Sequence, residues 1–186
     1  GRSGWGIVPS ADGQRVHLGG EFSYVNADPE TALLATVDST TGDLVPGWDH
    51  GPHRETTPLR YWPGGGIVHD LDVHGNNLYV AGAEHFWEQR DSTNGDSIAY
   101  HETDADTQNV ETIGEEVYIG CHCWESGRWM IEVDGATGAE QPTFTAGLAA
   151  GDGGHGRVAP PSPSASRGVY PPLAAGTPVP CAAPRC

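Results

Sequence analysis

Two cysteines separated by one histidine, Cys121-His122-Cys123, are the residues most able to do chemistry in this sequence. In an extended strand, Cys121 and Cys123 point to one face and His122 points to the other. Two thiolates on one face can bind a soft metal such as zinc or copper(I), with His122 as a further candidate ligand. A structural pair of thiols or a disulfide is the alternative. We expect the structural role, because no Cys-x-x-Cys pair completes a four-ligand zinc site.

Histidines also recur at comparable positions along the chain, which contains nine of them. His69 and His74 flank one segment of alternating apolar residues, and three more histidines follow similar segments: His85, His122 and His155. Side chains repeated in this way could line a channel shared by the repeats. Polar residues at the rim of the fold are the simpler interpretation.

A group of carboxylates offers oxygen ligands of the type that calcium prefers. Its members are Asp104, Asp106, Glu111, Glu115 and Glu116. Residues 103–109 begin like a calcium-binding loop, but the sixth position is not glycine. We therefore expect solvated turns here, with calcium as the less favoured alternative.

Aromatic residues next to turns are candidates for binding a partner, because their rings offer apolar area together with a polar edge. The candidates are Tyr61, Trp62, Trp87 and Trp124. The alternative is that these rings pack between structural repeats.

Composition excludes several classes of function. The 186 residues carry a formal charge of −16, and all nine basic residues are arginine. Nucleic-acid binding needs a basic surface, so the sequence argues against it. No apolar run is long enough to span a membrane. The phosphate-binding, nucleophile-elbow and zinc-protease motifs are absent from the sequence, which favours a non-catalytic role.

Internal repeats are the strongest structural signal. Three segments share alternating apolar residues and follow a turn: residues 16–22, 78–86 and 117–124. A second pattern, in which an Asp-x-x-Thr-Gly turn joins two strands, occurs at Asp38 and again at Asp134. These aspartates are 96 residues apart, which fits two units of four short strands each. The spacing predicts a degenerate middle copy at residues 97–108.

Together these segments resemble PQQ-like or YVTN-type β-propeller repeats of large extracellular proteins of actinobacteria. The resemblance rests on the Asp-x-x-Thr-Gly turns, the strands VHLGGEF and LYVAG, and the segment GIVHDLDV, and it covers residues 4–156. It implies an all-β partial propeller of about three four-stranded antiparallel blades. The predicted blades span residues 4–48, 64–107 and 108–145, with an inserted connection at 49–63 and the start of a fourth blade at 146–156.

The last thirty residues differ in composition. Residues 157–186 are rich in Pro, Ala, Ser and Arg and have almost no periodicity. They are predicted to be either a disordered linker in polyproline II form or an out-of-frame segment. The chain begins at Gly1 inside a repeat, and three blades cannot close a ring. We therefore expect further blades of the same protein or a second chain.

The function expected from this resemblance is a non-catalytic extracellular or cell-surface module that scaffolds or binds a protein or a glycan. No cofactor is predicted, and calcium and zinc remain the metal alternatives. The competing hypothesis, also implied by the resemblance, is part of a quinoprotein oxidoreductase. Such enzymes carry adjacent cysteines beside the quinone, whereas His122 separates the cysteines here.

Overall fold

The structure is a computed structural model that describes residues 4–50, 67–83, 85–123, 128–141, 148–149 and 157–158. These residues form antiparallel strands, and their helical structure is limited to a 3-10 turn at Pro29–Thr31. The predicted all-β class with three antiparallel sheets is therefore confirmed. None of the described elements is a helix long and apolar enough to cross a membrane.

The first sheet has three strands with the second one in the centre. Its strands are β1 (Gly4–Pro9), β2 (Arg15–Gly20) and β3 (Leu34–Asp38). The predicted fourth strand is reduced to a single bridge between Val37 and Leu44. This sheet therefore has one strand fewer than predicted, because Pro46 and Gly47 follow at once and interrupt regular pairing.

The second sheet has the predicted four strands in sequential order. They are β4 (Val68–His74), β5 (Asn77–Gly82), β6 (Phe86–Asp91) and β7 (Ser97–Glu102). Tight turns join the neighbours β4 and β5, and β6 and β7, so each strand lies beside the next one in the chain.

The third sheet consists of β8 (Thr107–Ile113), β9 (Glu116–Cys123) and β10 (Arg128–Asp134). As in the first sheet, the fourth strand is a single bridge, here between Val133 and Glu140. Two further short strands pair with each other, β11 (Leu148–Ala149) and β12 (Arg157–Val158). Strand β12 occupies the first two residues of the predicted tail, and residues 159–186 lie outside the described residues.

The same turn follows the third strand of each of the three larger sheets. It starts at Asp38, Asp91 and Asp134, and in each copy the amide of the fifth residue donates to the aspartate carbonyl, at 2.8–2.9 Å. That fifth residue is a glycine with a φ between 71° and 84°. The middle copy is therefore Asp91-Ser92-Thr93-Asn94-Gly95, not the predicted residues 97–108, which span β7, the connection that follows it and the first two residues of β8. Asn94 replaces the threonine of the other two copies, so the Thr-Gly pattern does not identify this turn.

The sheets pack face to face in chain order around two apolar cores. The core between the first and second sheets is centred on Leu34, Leu78 and Trp48. The core between the second and third sheets is centred on Trp87 and Ile119. Strand β4 lies between β1 and β8, so the first strands of all three sheets are neighbours.

Candidate functional site

The two cysteines lie at the end of β9 and form a disulfide with each other. Both side chains are buried, and the two Cα atoms are 5.1 Å apart. His122 lies between them on the opposite, exposed face, where its Nδ1 is 3.4 Å from Nε2 of Gln108. The alternation of faces expected for a strand is therefore present, and the disulfide is one of the two structural roles expected for this pair.

The predicted metal ligands Cys121, His122 and Cys123 are not brought together as a set of three. The third group beside the sulfurs is Asp104, from the connection between β7 and β8. One of its carboxylate oxygens and both sulfur atoms lie within 4.8 Å of one another. In the disulfide the sulfurs are not thiolates, so this cluster could bind a soft metal only after reduction.

Three of the predicted histidines lie at the same end of the sheets as the disulfide. Nε2 of His85 is 3.9 Å from a carboxylate oxygen of Asp106. Burial lowers the pKa of His69, an effect that the charge of Asp106 opposes and that of His122 reinforces. These side chains form one polar surface, which we call the histidine edge: His69, His85, Asp106 and His122. His74 lies at the other end of β4, and His155 is outside the described residues.

The predicted calcium ligands are divided between the two ends of the third sheet. Asp104 and Asp106 precede β8 at the histidine edge, whereas Glu115 and Glu116 lie at the turn that follows β8. Glu111 is exposed in the middle of that strand. A strand of seven residues separates the two pairs, so the five carboxylates do not form one calcium site.

Trp87 is fully buried, so the prediction that it contacts a partner is wrong. Its ring stacks on His101 at 3.9 Å with an interplanar angle of 5°, and Tyr79 lies 6.3 Å away. It therefore has the packing role that was the alternative. The other predicted binding aromatics lie outside the described residues: Tyr61, Trp62 and Trp124.

A buried ion pair within β6 of the second sheet was not expected from the sequence. Nε of Arg90 is 3.6 Å from Oε1 of Glu88, and both side chains are 1% exposed. The Arg90 guanidinium also lies 5.8 Å from the Trp48 ring and 3.4 Å from Asp49. Strand β6 lies inside the sheet with both faces covered, so its polar residues are buried. The sequence signal for their burial is that they directly precede the Asp91 turn, which places them in the third strand of a repeat.

Comparison with known proteins supports the fold alone. No known protein family matches the sequence, and no curated protein matches it. The crystal structure of Sqt1 from Saccharomyces cerevisiae is similar, with a TM-score of 0.56 and 9% identity. The match covers 75% of this chain and 35% of Sqt1, so the chain spans about a third of that protein. The computationally designed protein Ika4 has a TM-score of 0.50 and 13% identity over 79% of this chain and 82% of Ika4.

Proposed function

We propose that this chain is part of a β-propeller that acts as a non-catalytic binding scaffold. The observation that carries the proposal is the repeated contact between each sheet and the turn of the next. Nε1 of Trp48 donates to the Ser92 carbonyl at 3.2 Å, and the Tyr79 hydroxyl donates to the Gly135 carbonyl at 3.0 Å. Ser92 and Gly135 each follow the aspartate of their turn, so the same turn carbonyl accepts a bond from the preceding part of the chain in both cases, although the donors Trp48 and Tyr79 occupy different positions. Repetition of one step around an axis is how propellers are built.

The disulfide supports an extracellular or cell-surface location. Disulfides persist in oxidising compartments and are rare in the reducing cytosol. Cys121 and Cys123 are buried, which protects their bond from reductants. The excess of acidic residues is compatible with this location, because net charge keeps a protein soluble.

The histidine edge is the surface that we propose binds the ligand. Loops and strand ends at one edge of a rigid sheet carry binding residues in many folds. His85, Asp106 and His122 are accessible there and supply donors and acceptors of hydrogen bonds. Such a polar surface suits a carbohydrate or the polar surface of another protein.

A printed array of cell-surface glycans tests the carbohydrate ligand directly. We expect the purified chain to bind a subset of glycans, and His85→Ala with His122→Ala to abolish that binding. The matched control is His74→Ala, at the opposite end of the sheets beside Glu115. Binding that survives loss of both edge histidines contradicts the proposed surface. Quinone-dependent reduction of a dye by the chain contradicts the non-catalytic role and favours the quinoprotein alternative.

A site for zinc or copper(I) is the second candidate, favoured by one observation. Asp104 lies beside the two sulfurs, and a carboxylate with two thiolates supplies three ligands. This function requires the reduced pair, so it operates only where a reductant opens the disulfide.

A further inference from the structure

The first sheet has an apolar face that no other described element covers. Ile7 in β1 is 72% exposed. Counted from the turn that follows each first strand, Leu71 and Val110 occupy the same position in β4 and β8. These two residues are 5% and 4% exposed, because they pack against the preceding sheet. Ile7 is exposed because no described sheet precedes the first one.

The aspartate turns show the same contrast. A Cβ added at Gly95 would lie 2.5 Å from the Asp49 backbone, and one added at Gly138 would collide with the Gln89 side chain. Asp49 precedes the second sheet, which contains Gly95, and Gln89 lies in the second sheet, which precedes the turn at Gly138. A Cβ added at Gly42 meets nothing within 4 Å. The first turn thus has the same conformation as the other two, without the partner that covers them.

The third sheet carries the complementary face. Tyr118 and Met130 occupy the positions that Tyr79 and Trp87 occupy in the second sheet. Tyr79 and Trp87 are fully buried against the third sheet, whereas Tyr118 and Met130 are only partly buried. Asn109 is likewise exposed where Asp70, at the same position in β4, accepts a hydrogen bond from the next sheet.

We propose that these two faces bind each other, head to tail, between two copies of this chain. The inference rests on the propeller arrangement proposed above. Both halves of the interface lie on one chain, so a second copy supplies each missing partner. Counting only the three- and four-stranded sheets of the described residues, two copies contain six, and propellers close with about four to eight blades. In this assembly Ile7 is buried against the third sheet of the second copy.

One residue opposes this assembly. Asn77 in the second sheet donates to the Gly135 and Ala136 carbonyls of the next turn. The third sheet has Glu116 at that position, and a carboxylate repels both the carbonyls and Asp38 of the partner. The association is therefore weakened by Glu116, and Glu116→Asn should strengthen it.

Sedimentation velocity of the full chain over a range of concentrations tests the proposal. The expected result is a species of twice 19.6 kDa that dissociates on dilution. Ile7→Glu should raise the dissociation constant about tenfold or more, as expected for a charge in the centre of an interface. Ile98→Glu, at a 52% exposed position on β7, is the matched control and should leave it unchanged. Glu116→Asn should lower it. A chain that stays monomeric at every concentration overturns the proposal, as does association unaffected by Ile7→Glu.

Mixing two variants distinguishes this arrangement from a symmetric contact. Ile7→Glu damages one face and Met130→Glu damages the other, so each variant alone should be monomeric. Their mixture keeps one intact pair of faces and should form a heterodimer. A mixture that stays monomeric overturns the head-to-tail contact, provided that circular dichroism shows both variants folded. Glycan binding by the monomeric Ile7→Glu variant is a separate readout, so the binding function can stand or fall independently of the assembly.

Discussion

The Tyr79 hydroxyl donates a hydrogen bond to the backbone carbonyl of Gly135, with 3.0 Å between the two oxygens. This bond joins the second sheet to the aspartate turn of the third. Burial, followed by the charge of Asp134, raises the pKa of Tyr79 to about 12. The hydroxyl therefore remains a donor at every pH at which the protein would be handled.

Replacing this donor measures its contribution to the packing of the sheets. We expect Tyr79→Phe to lower the free energy of unfolding by about 1–2 kcal/mol, because it removes one of the donors to a buried carbonyl. Urea denaturation gives the value. The control is Tyr24→Phe at a 61% exposed position, which should change stability by less than about 0.5 kcal/mol. Equal effects at the two positions would show that the inter-sheet bond contributes nothing.

The aspartate turns provide a matched pair of glycine substitutions. Gly42 has a φ of 75°, so Gly42→Ala should cost about 1–2 kcal/mol from backbone strain. Gly95→Ala carries the same strain and also forces Cβ against the Asp49 backbone, which adds about 1–3 kcal/mol. Denaturation in an Ile7→Glu background removes any contribution from association. If Gly42→Ala proves the more costly of the two, the assignment of covered and open turns is wrong.

The stability of the fold should fall below neutral pH because of His17. Burial lowers the pKa of His17 from 6.5 to about 4, and its Nδ1 lies 2.8 Å from the Thr36 hydroxyl. The unfolded chain binds a proton near pH 6.5 and the folded chain does not. The contribution of the neutral His17 to the free energy of unfolding is therefore complete above pH 6.5. It is lost as the pH falls toward 4, by up to about 1.4 kcal/mol per pH unit.

His17→Asn isolates this effect, since asparagine can still bond to Thr36 but does not titrate. We expect the dependence of unfolding free energy on pH between 6.5 and 4 to become shallower in the variant. Measurements at pH 8 give the pH-independent cost of the substitution. An unchanged slope would assign the acid sensitivity to other groups, such as the partly buried His50, whose pKa is also lowered by burial.

The cysteine pair is expected to be structural. Without reductant, Cys121 and Cys123 should resist alkylation in the unfolded chain and react only after a dithiol is added. Cys123→Ser should cost about 1–3 kcal/mol, because it places a hydroxyl in an apolar site, and it should leave glycan binding unchanged. Elemental analysis is the decisive measurement for the alternative. Stoichiometric zinc or copper that is lost on Asp104→Asn would replace the structural role with a metal site.

The strands and two of their turns could be predicted from the sequence because they depend on local chemistry. Alternating apolar residues give strands, and an aspartate followed by a positive-φ glycine gives the turn that repeats at Asp38 and Asp134. Strand geometry also placed Cys121 and Cys123 on one face and His122 on the other. The middle turn at Asp91 was missed because asparagine can replace threonine in that conformation.

Burial and neighbourhood were decided by the tertiary structure, because they depend on which sheet covers each face. Trp87 reads as an exposed aromatic in the sequence, yet the third sheet buries it completely. Asp104 is a solvated turn residue by its local context, and only the connection from β7 to β8 brings it beside the sulfurs. Ile7 occupies the same position in β1 that Leu71 occupies in β4, but Ile7 is exposed and Leu71 is buried. A repeat fixes the shape of each unit, whereas the presence of a neighbouring sheet fixes what each face contacts.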